Sequence, residues 1–176
     1  MDSGNTNAPG ENSEEQVVIS QLTELDQKVV DEIKGSFSDQ VLEARIQRDS
    51  RMLITVRSES IVEIARYLKD KMHFDHPASV SAVDYAARKE LEVTYHVWST
   101  PRKTLLALRT SVPVGEPRLD SLTSVWRGIE FHEREAHEML GIDFVGHPRL
   151  TSLLLQEDWA GPPPLRKDFK LRTTPE

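Results

Sequence analysis

The chain has no cysteine among its 176 residues, and this absence excludes several kinds of chemistry. Without thiolates there is no disulfide framework, no nucleophilic cysteine and no cysteine-ligated zinc site or iron–sulfur cluster. If the protein takes part in electron transfer, we therefore expect that it carries no electron itself. The lack of cysteine also agrees with a reducing compartment.

Long apolar runs and broad basic stretches are missing as well. No segment approaches the roughly 18–20 uninterrupted apolar residues of a membrane helix, and the N-terminus lacks the features of a signal peptide. The formal charge is −7, and residues 1–16 contribute four acids and no Lys or Arg. Because no basic stripe is present for a phosphate backbone, nucleic acid is not an expected partner. We expect a protein without a membrane span of its own that stays in the cytoplasm.

Motifs of free-standing catalysis are also absent, since the sequence has neither a glycine-rich phosphate loop nor a Gly-x-Ser-x-Gly elbow. The run from His132 to His137 resembles a zinc-binding helix at first sight. Its two histidines are five residues apart instead of four, which places their rings roughly 140° apart around a helix. We therefore expect no metal site here. A metal-dependent hydrolase that uses His132, Glu133 and His137 is kept as an alternative.

The composition divides the chain into four regions. Residues 1–16 are rich in Asn, Gly, Ser and Glu, which predicts a disordered acidic leader. Residues 17–118 predict an α+β domain with an antiparallel-rich sheet and helices on one face. A helical segment over residues 119–141 ends at Gly141, and the proline-rich residues 142–176 predict an extended docking loop and tail.

Within the α+β domain, five runs have the β-branched and aromatic content of strands, and these are Val41–Ile46, Met52–Val56, Ser79–Tyr85, Leu91–Trp98 and Thr104–Val112. Short links between neighbouring runs favour antiparallel pairing. A first helix is predicted from Leu22, with Gly35 just past its end. A second helix follows Ser60, which together with Glu63 matches a capping box.

Two passages in the C-terminal part contain motifs that occur together. They are Glu133-Arg134-Glu135 with Gly141-Ile142, Phe144 and Gly146-His147-Pro148, and then Asp158-Trp159, Gly161 and Pro164-Leu165-Arg166-Lys167-Asp168-Phe169. In order and distance they closely resemble the C subunit of respiratory complex I, the NADH:quinone oxidoreductase, and its archaeal deazaflavin-dependent dehydrogenase relatives. The run from Ala82 to Tyr85 and the strands after it are similar too, so the resemblance extends over about residues 20–170.

The resemblance implies a non-catalytic, cofactor-free subunit in the peripheral arm of a membrane-bound, ion-pumping oxidoreductase. Such a subunit docks on the hydrogenase-like large subunit, near the small subunit that holds the last iron–sulfur cluster. It meets the membrane arm only indirectly, on the cytoplasmic side of the cell membrane. The parent complex would pass electrons from NADH or reduced deazaflavin to quinone or methanophenazine, with the iron–sulfur clusters and flavin in partner subunits.

The resemblance also implies that this chain has no catalytic, cofactor-binding or metal-binding residues, and that partner docking involves Glu133, Arg134, Glu135, Gly141, Ile142, Phe144, Gly146, His147, Pro148, Asp158, Trp159, Gly161, Pro164, Leu165, Arg166, Lys167, Asp168 and Phe169. A proline-stiffened tail loses less entropy on docking, and Arg166 can make bidentate contacts. An alternative interpretation of the charges from Glu130 to Glu138 is a solvated helix face with i,i+4 ion pairs. A free-standing adaptor protein is the alternative function.

Three short passages depart from the family pattern. Arg149-Leu150-Thr151-Ser152 stands where the family usually has an acidic residue, Leu and two Arg. His137 and Glu138 stand where Tyr and Asp are usual, and three prolines precede Leu165 where one is usual. These changes favour an archaeal or hydrogenase-related branch over a mitochondrial one.

Overall fold

The computed structural model describes residues 24, 26–48, 50–156 and 158–170. The predicted acidic leader over residues 1–16 lies outside this part. The described residues form an α+β fold with three helices and a five-stranded, mostly antiparallel sheet. The predicted fold class is therefore confirmed.

The helices are α1 over residues 26–36, α2 over Ile61–Asp70 and α3 over Glu130–Leu140, with 3₁₀ turns at Ser58–Ser60 and Arg127–Ile129. The strands of the main sheet are β1 Val41–Arg48, β2 Arg51–Val56, β3 His76–Tyr85, β4 Glu90–Ser99 and β5 Thr104–Pro113. All five match the runs predicted from the sequence. Two further strands, β6 Arg118–Asp120 and β7 Asp143–Val145, pair in parallel with each other. They were not predicted, because three residues are too few to show an alternating pattern.

The main sheet has the order β1-β2-β5-β4-β3. The three hairpin pairs are antiparallel, as the short links predict, whereas β2 and β5 pair in parallel in the centre. This central pairing was not predicted because α2, β3 and β4 separate its two strands along the chain. It joins the N-terminal hairpin to the three-stranded meander, so that one sheet supports all three helices.

The core lies on one face of the sheet. Along β4, Leu91, Val93, Tyr95 and Val97 are fully buried, while the residues between them alternate to the other face. Apolar residues of α1, α2 and α3 join the same hydrophobic cluster. The helices therefore lie on one face, and α3 with the chain beyond it completes this layer.

One predicted helix end and one predicted helix cap are wrong, whereas α2 starts directly after Ser60 as predicted. The first helix does not stop before Gly35 but continues through residue 36, and the amide of Phe37 still donates to the Ile33 carbonyl at 2.9 Å. Ser60 makes no side-chain cap. A 3₁₀ turn leads directly into α2, so that the backbone N–H of Ile61 bonds to the Ser58 carbonyl.

The helical segment predicted over residues 119–141 is also shorter than expected. Residues 122–126 form a tight turn in which the amides of Val125 and Trp126 both donate to the Leu122 carbonyl. The indole N–H of Trp126 then bonds to the Phe74 carbonyl at 2.9 Å, and its backbone is extended. Burial of this ring fixes the turn, and α3 starts only afterwards.

Candidate functional site

The inner face of α3 carries a buried carboxylate, Glu133. It accepts hydrogen bonds from Tyr95 Oη at 3.0 Å, from Ser121 Oγ at 2.6 Å and from the Leu122 amide at 2.9 Å. Its side chain is fully buried, so each bond replaces one that water would make. Glu133 therefore joins α3 to β4 and to the turn that follows β6.

Burial dominates the electrostatics of this group. It raises the pKa of the Glu133 carboxyl, while the hydrogen bonds from Ser121, Leu122 and Tyr95 act in the opposite direction. Burial, followed by the negative charge of Glu133, also raises the pKa of Tyr95 well above its ordinary value. The phenol therefore stays a hydrogen-bond donor. This arrangement holds elements together, and its carboxylate oxygens are already occupied by donors of the same chain.

Arg134 and Glu138, one helical turn apart on α3, bind residues 151–155. The Arg134 guanidinium donates to the carbonyl of Thr151 at 3.2 Å, to its hydroxyl at 3.1 Å and to the carbonyl of Ser152 at 2.8 Å. The Glu138 carboxylate accepts the amides of the next three residues, Leu153 to Leu155, at 2.8–3.2 Å. Two charged side chains thus provide hydrogen-bond partners for the backbone amides and carbonyls of a segment that has no strand partner.

The Glu138 carboxylate differs from Glu133 in its titration. Desolvation raises its pKa, but the three backbone donors and the nearby Arg134 outweigh that effect and lower it below its ordinary value. Charge-assisted bonds to backbone amides favour the ionised form. The pKa values of two carboxylates on one helix, Glu133 and Glu138, are therefore shifted in opposite directions.

The tail returns to the C-terminal end of α3. The Leu165 amide donates to the Met139 carbonyl at 2.9 Å, and Arg166 Nη1 donates to the Leu140 carbonyl at 3.1 Å. These carbonyls have no partner within the helix, so the tail supplies their cap. The Lys167 amide donates to the buried carboxylate of Asp84 at 2.8 Å. The tail thereby reaches from α3 to β3.

Glycine is required where α3 ends. Gly141 has a φ of 76°, in the left-handed region, as predicted for a helix terminator. A Cβ atom at this position would lie 3.0 Å from Pro163 Cγ. The same residue therefore ends the helix and makes room for the returning tail.

The loop after α3 packs against its own domain. Ile142 and Phe144 are buried in the core, and β7 pairs with β6. Nδ1 of His137 lies 2.8 Å from the Ile142 carbonyl and Nε2 of His147 lies 3.0 Å from the Glu130 carbonyl. The apolar residues of this loop contribute to folding, whatever the loop contacts on its outer side.

Exposed apolar side chains are concentrated on this part of the molecule. Of the eight large hydrophobic residues exposed in the described chain, five fall within residues 131–165, and these are Phe131, Val145, Leu154, Trp159 and Leu165. Leu154 and Leu165 are 61% and 60% exposed, and both have backbone amides bound to α3. We call α3 with residues 151–169 the α3 wrap. The backbone amides of Leu154 and Leu165 are thus bound to α3 while their side chains remain exposed.

An aromatic pair lies further along the wrap. The rings of Trp159 and Phe169 have centroids 6.3 Å apart. A Cβ atom on Gly161 would lie 2.9 Å from the Trp159 ring, so only glycine leaves room for this arrangement. Trp159 remains 43% exposed.

The residues assigned to docking from the sequence therefore separate into three groups. Those buried within the chain are Glu133, Arg134, Ile142 and Phe144. Those partly buried are Gly141, His147, Pro164, Arg166 and Phe169. Those exposed are Glu135, Gly146, Pro148, Asp158, Trp159, Gly161, Leu165, Lys167 and Asp168. The interpretation of the charged run as a solvated helix face is wrong for Glu133 and Arg134.

The sequence did not reveal several residues that build this region. Glu138 stands out in the sequence only as a departure from the family, yet it holds three successive amides. Thr151 and Ser152, another departure, supply the acceptors for Arg134. Most of these partners are backbone atoms, which leave no trace in residue type.

The described residues contain no group of three or more histidines and acids placed to hold a metal ion. Both Glu133 oxygens accept bonds within the chain. The geometry thus gives no support to the hydrolase alternative. Within the same part of the chain, no helix has the length and apolar content to cross a membrane.

Sequence comparison identifies relatives over most of the chain. The family model described as the respiratory-chain NADH dehydrogenase 30 Kd subunit matches residues 54–175. The C subunit of the F(420)H(2) dehydrogenase of Methanosarcina mazei is 37% identical over 81% of this chain and 90% of its own length. The C subunit of the NADH-quinone oxidoreductase of Geobacter sulfurreducens is 34% identical over 82% of this chain and 90% of its own length.

Solved structures have the same fold. A chain of the membrane-bound sulfane sulfur reductase, an archaeal respiratory membrane complex, aligns with a TM-score of 0.74 at 23% identity, over 83% of this chain and 86% of that chain. The trypsin-resistant fragment of Nqo5 aligns with a TM-score of 0.60 at 25% identity, over 70% of this chain and 98% of that chain. The matched family model and the two C-subunit relatives show that the chain belongs to the family of the respiratory-chain NADH dehydrogenase 30 kDa subunit.

Proposed function

We propose that this chain is a non-catalytic peripheral-arm subunit of a membrane-bound, ion-pumping oxidoreductase of the complex I type. It docks through the α3 wrap on the hydrogenase-like large subunit, next to the small subunit with the terminal iron–sulfur cluster. The observation that carries the proposal is the placement of Leu154 and Leu165, two exposed leucines on a backbone already bound to α3.

The chemistry of the wrap suits a permanent protein interface. Its buried charges are satisfied within the chain, so docking leaves no unpaired ion behind. The exposed apolar side chains, Phe131, Leu154 and Leu165, can fill pockets on a partner, while Glu135 and Lys167 provide a charged rim. Because the backbone is already held, little conformational entropy is lost on binding.

In this proposal the redox cofactors lie in the partner subunits. The absence of cysteine removes the usual ligands of an iron–sulfur cluster from this chain, which supports the assignment of the clusters to other subunits. The flavin is assigned to those subunits as well, as the family resemblance implies. The names of the relatives support F(420)H(2) or NADH as the donor and, for the NADH-quinone oxidoreductase, quinone as the acceptor. Methanophenazine is the alternative acceptor that the family resemblance implies. The subunit then lies on the cytoplasmic side of the membrane without spanning it.

Recovery of the complex through a tagged chain tests the proposal. The tagged chain is expressed in its source organism, membranes are mildly solubilised, and co-purifying proteins are identified by mass spectrometry. We expect the unaltered chain to recover the large subunit, the iron–sulfur small subunit and membrane pumps. Recovery of unrelated soluble proteins, without quinone reductase activity, would overturn the proposal and favour the adaptor alternative.

A matched pair of variants tests the surface itself. Leu154→Asp with Leu165→Asp places two charges in the proposed interface, and we expect recovery of partner subunits to fall at least about tenfold, as buried unpaired charges predict. Leu42→Asp is the control, because Leu42 is also 60% exposed but lies on β1. Equal recovery with the double variant and the control would exclude the wrap as the docking surface.

A further inference from the structure

The two edge strands of the main sheet differ in how well their edges are protected. β1 and β3 are the end strands in the order β1-β2-β5-β4-β3. β1 carries the charged residues Glu43, Arg45 and Arg48, and its register with β2 shifts at two places. Charged side chains and bulges are the usual means by which an edge strand avoids pairing with another chain. The edge of β1 therefore has the features of one that stays free.

β3 lacks this protection over most of its length. It has no Lys or Arg, and its single proline, Pro77, and its single register shift both lie near its start. The seven residues 79–85 are in continuous register with β4 and span roughly 23 Å. The acid in this stretch, Asp84, is buried and accepts the Lys167 amide, so its carboxylate is already occupied within the chain. We call residues 79–85 the β3 edge.

The backbone of the β3 edge offers a row of hydrogen-bonding groups. β3 pairs with β4, and no other hydrogen bond joins the backbone of residues 79–84 to the described residues. In an antiparallel pair, alternate residues direct their N–H and C=O groups away from the neighbouring strand. Because these groups recur at strand spacing, the ligand that matches them is another extended backbone.

The side chains of β3 leave room for a neighbour on both faces of the sheet. Val80 and Ala82 pack against the core on the face that the helices cover, yet both are only partly buried. Val83 and Tyr85 lie on the other face and are 43% and 39% exposed. Inside a sheet, such residues are covered by cross-strand neighbours on both sides. An added strand would cover all four.

We propose that the β3 edge pairs with an extended segment of the partner subunit that binds the α3 wrap. The edge adjoins the wrap, because Asp84 near the end of β3 holds the amide of Lys167 in the tail. The proposal rests on the docking role of the wrap and adds the chemistry of the partner. Main-chain hydrogen bonds supply affinity, and apolar side chains at alternate positions of the partner segment contact Val83 and Tyr85.

Hydrogen exchange with and without the partner tests this pairing. Deuterium uptake is measured by mass spectrometry for the full-length chain alone and for the complex recovered through the tagged chain. We expect peptides of the β3 edge to exchange at least about tenfold more slowly in the complex, because the outward amides then belong to a ladder. Peptides of β1 should exchange equally in both states. Full protection of the β3 edge in the isolated chain, or equal slowing of β1 and β3, would overturn the proposal.

The same measurement distinguishes the strand pairing from docking through the wrap. Slower exchange in residues 151–169 with unchanged exchange at the β3 edge would overturn the pairing and leave the wrap as the docking surface. Slower exchange at the β3 edge alone would support the pairing and contradict docking through the wrap. Unchanged exchange in both regions would overturn both proposals.

A charged substitution tests the edge directly. Val83→Lys gives β3 the protection that natural edge strands carry, and we expect recovery of partner subunits to fall severalfold. Val83 lies outside the core cluster, so the variant should keep its fold. Leu42→Lys is the matched control, because Leu42 is exposed on the other edge strand. Equal recovery with both variants would contradict the pairing. A dimer of the isolated chain in size-exclusion chromatography that Val83→Lys dissociates would also overturn it, since a second copy would then occupy the edge.

Discussion

The backbone N–H and C=O groups of the five-stranded sheet and of the α3 wrap find their hydrogen-bond partners in different ways. In the sheet, strands pair with strands, and the side chains beneath them are apolar. In residues 151–169 no strand or helix is present among the described residues, and side chains of Arg134, Glu138 and Asp84 bond backbone groups that a neighbouring strand would otherwise bond. The amides and carbonyls of an irregular segment can thus be hydrogen-bonded by charged side chains without a neighbouring strand.

The largest effect is expected where the two regions meet, at Glu133. Glu133→Ala leaves the Leu122 amide and the hydroxyls of Ser121 and Tyr95 without their acceptor. We expect the free energy of unfolding to fall by about 3 kcal/mol, because each unsatisfied buried group costs roughly 1–3 kcal/mol. Urea denaturation measures this loss. Glu135→Ala, on the exposed side of the same helix, should change it by less than about 0.5 kcal/mol.

A substitution at Arg166 should loosen residues 158–169 of the α3 wrap and leave the sheet intact. Arg166→Ala removes the donors to the carbonyls of Leu140 and Val114. We expect a loss of about 1–2 kcal/mol and faster limited proteolysis within residues 158–170. Fragments cut first inside β4 would mean that the tail and the sheet open as one unit. Lys170→Ala is a suitable control, since its side chain is exposed.

Glu138 provides a local test of whether a charged side chain holds the backbone of residues 153–155 in place. Glu138→Ala removes the acceptor of the amides of residues 153–155. We expect hydrogen exchange of these amides to accelerate about tenfold, which corresponds to roughly 1.4 kcal/mol of local protection. Amides of β4 should exchange at an unchanged rate. Equal acceleration in both places would show that Glu138 acts on global stability instead.

The two regions also differed in how far the sequence predicted them. The runs from Val41 to Val112 predicted all five strands, because β-branched and aromatic residues are enriched in strands. In the α3 wrap, the motif residues were found, but their contacts were not. Arg134 and Glu138 bind backbone atoms of residues 151–155, and any residue type offers those atoms. The turn at Trp126 escaped prediction for a related reason, since its geometry depends on a distant carbonyl of Phe74.

The smallest expected effect is a change in the pH dependence of stability, which should differ between the two carboxylates of α3, Glu133 and Glu138. Backbone donors lower the pKa of Glu138 in the folded chain, so its stabilising contribution is present above its ordinary pKa of about 4.5 and is lost as pH falls through the folded value. Burial raises the pKa of Glu133, so its protonated form favours folding, and that contribution declines as pH rises above 4.5. Relative to Glu138→Gln, the unaltered chain should therefore lose stability on acidification from about pH 5 to 3, by less than about 1 kcal/mol because solvent screens the site. Relative to Glu133→Gln, the unaltered chain should instead gain stability on acidification. Parallel pH dependence of the two differences in urea denaturation would show that the two carboxylates of α3 do not occupy opposite electrostatic environments.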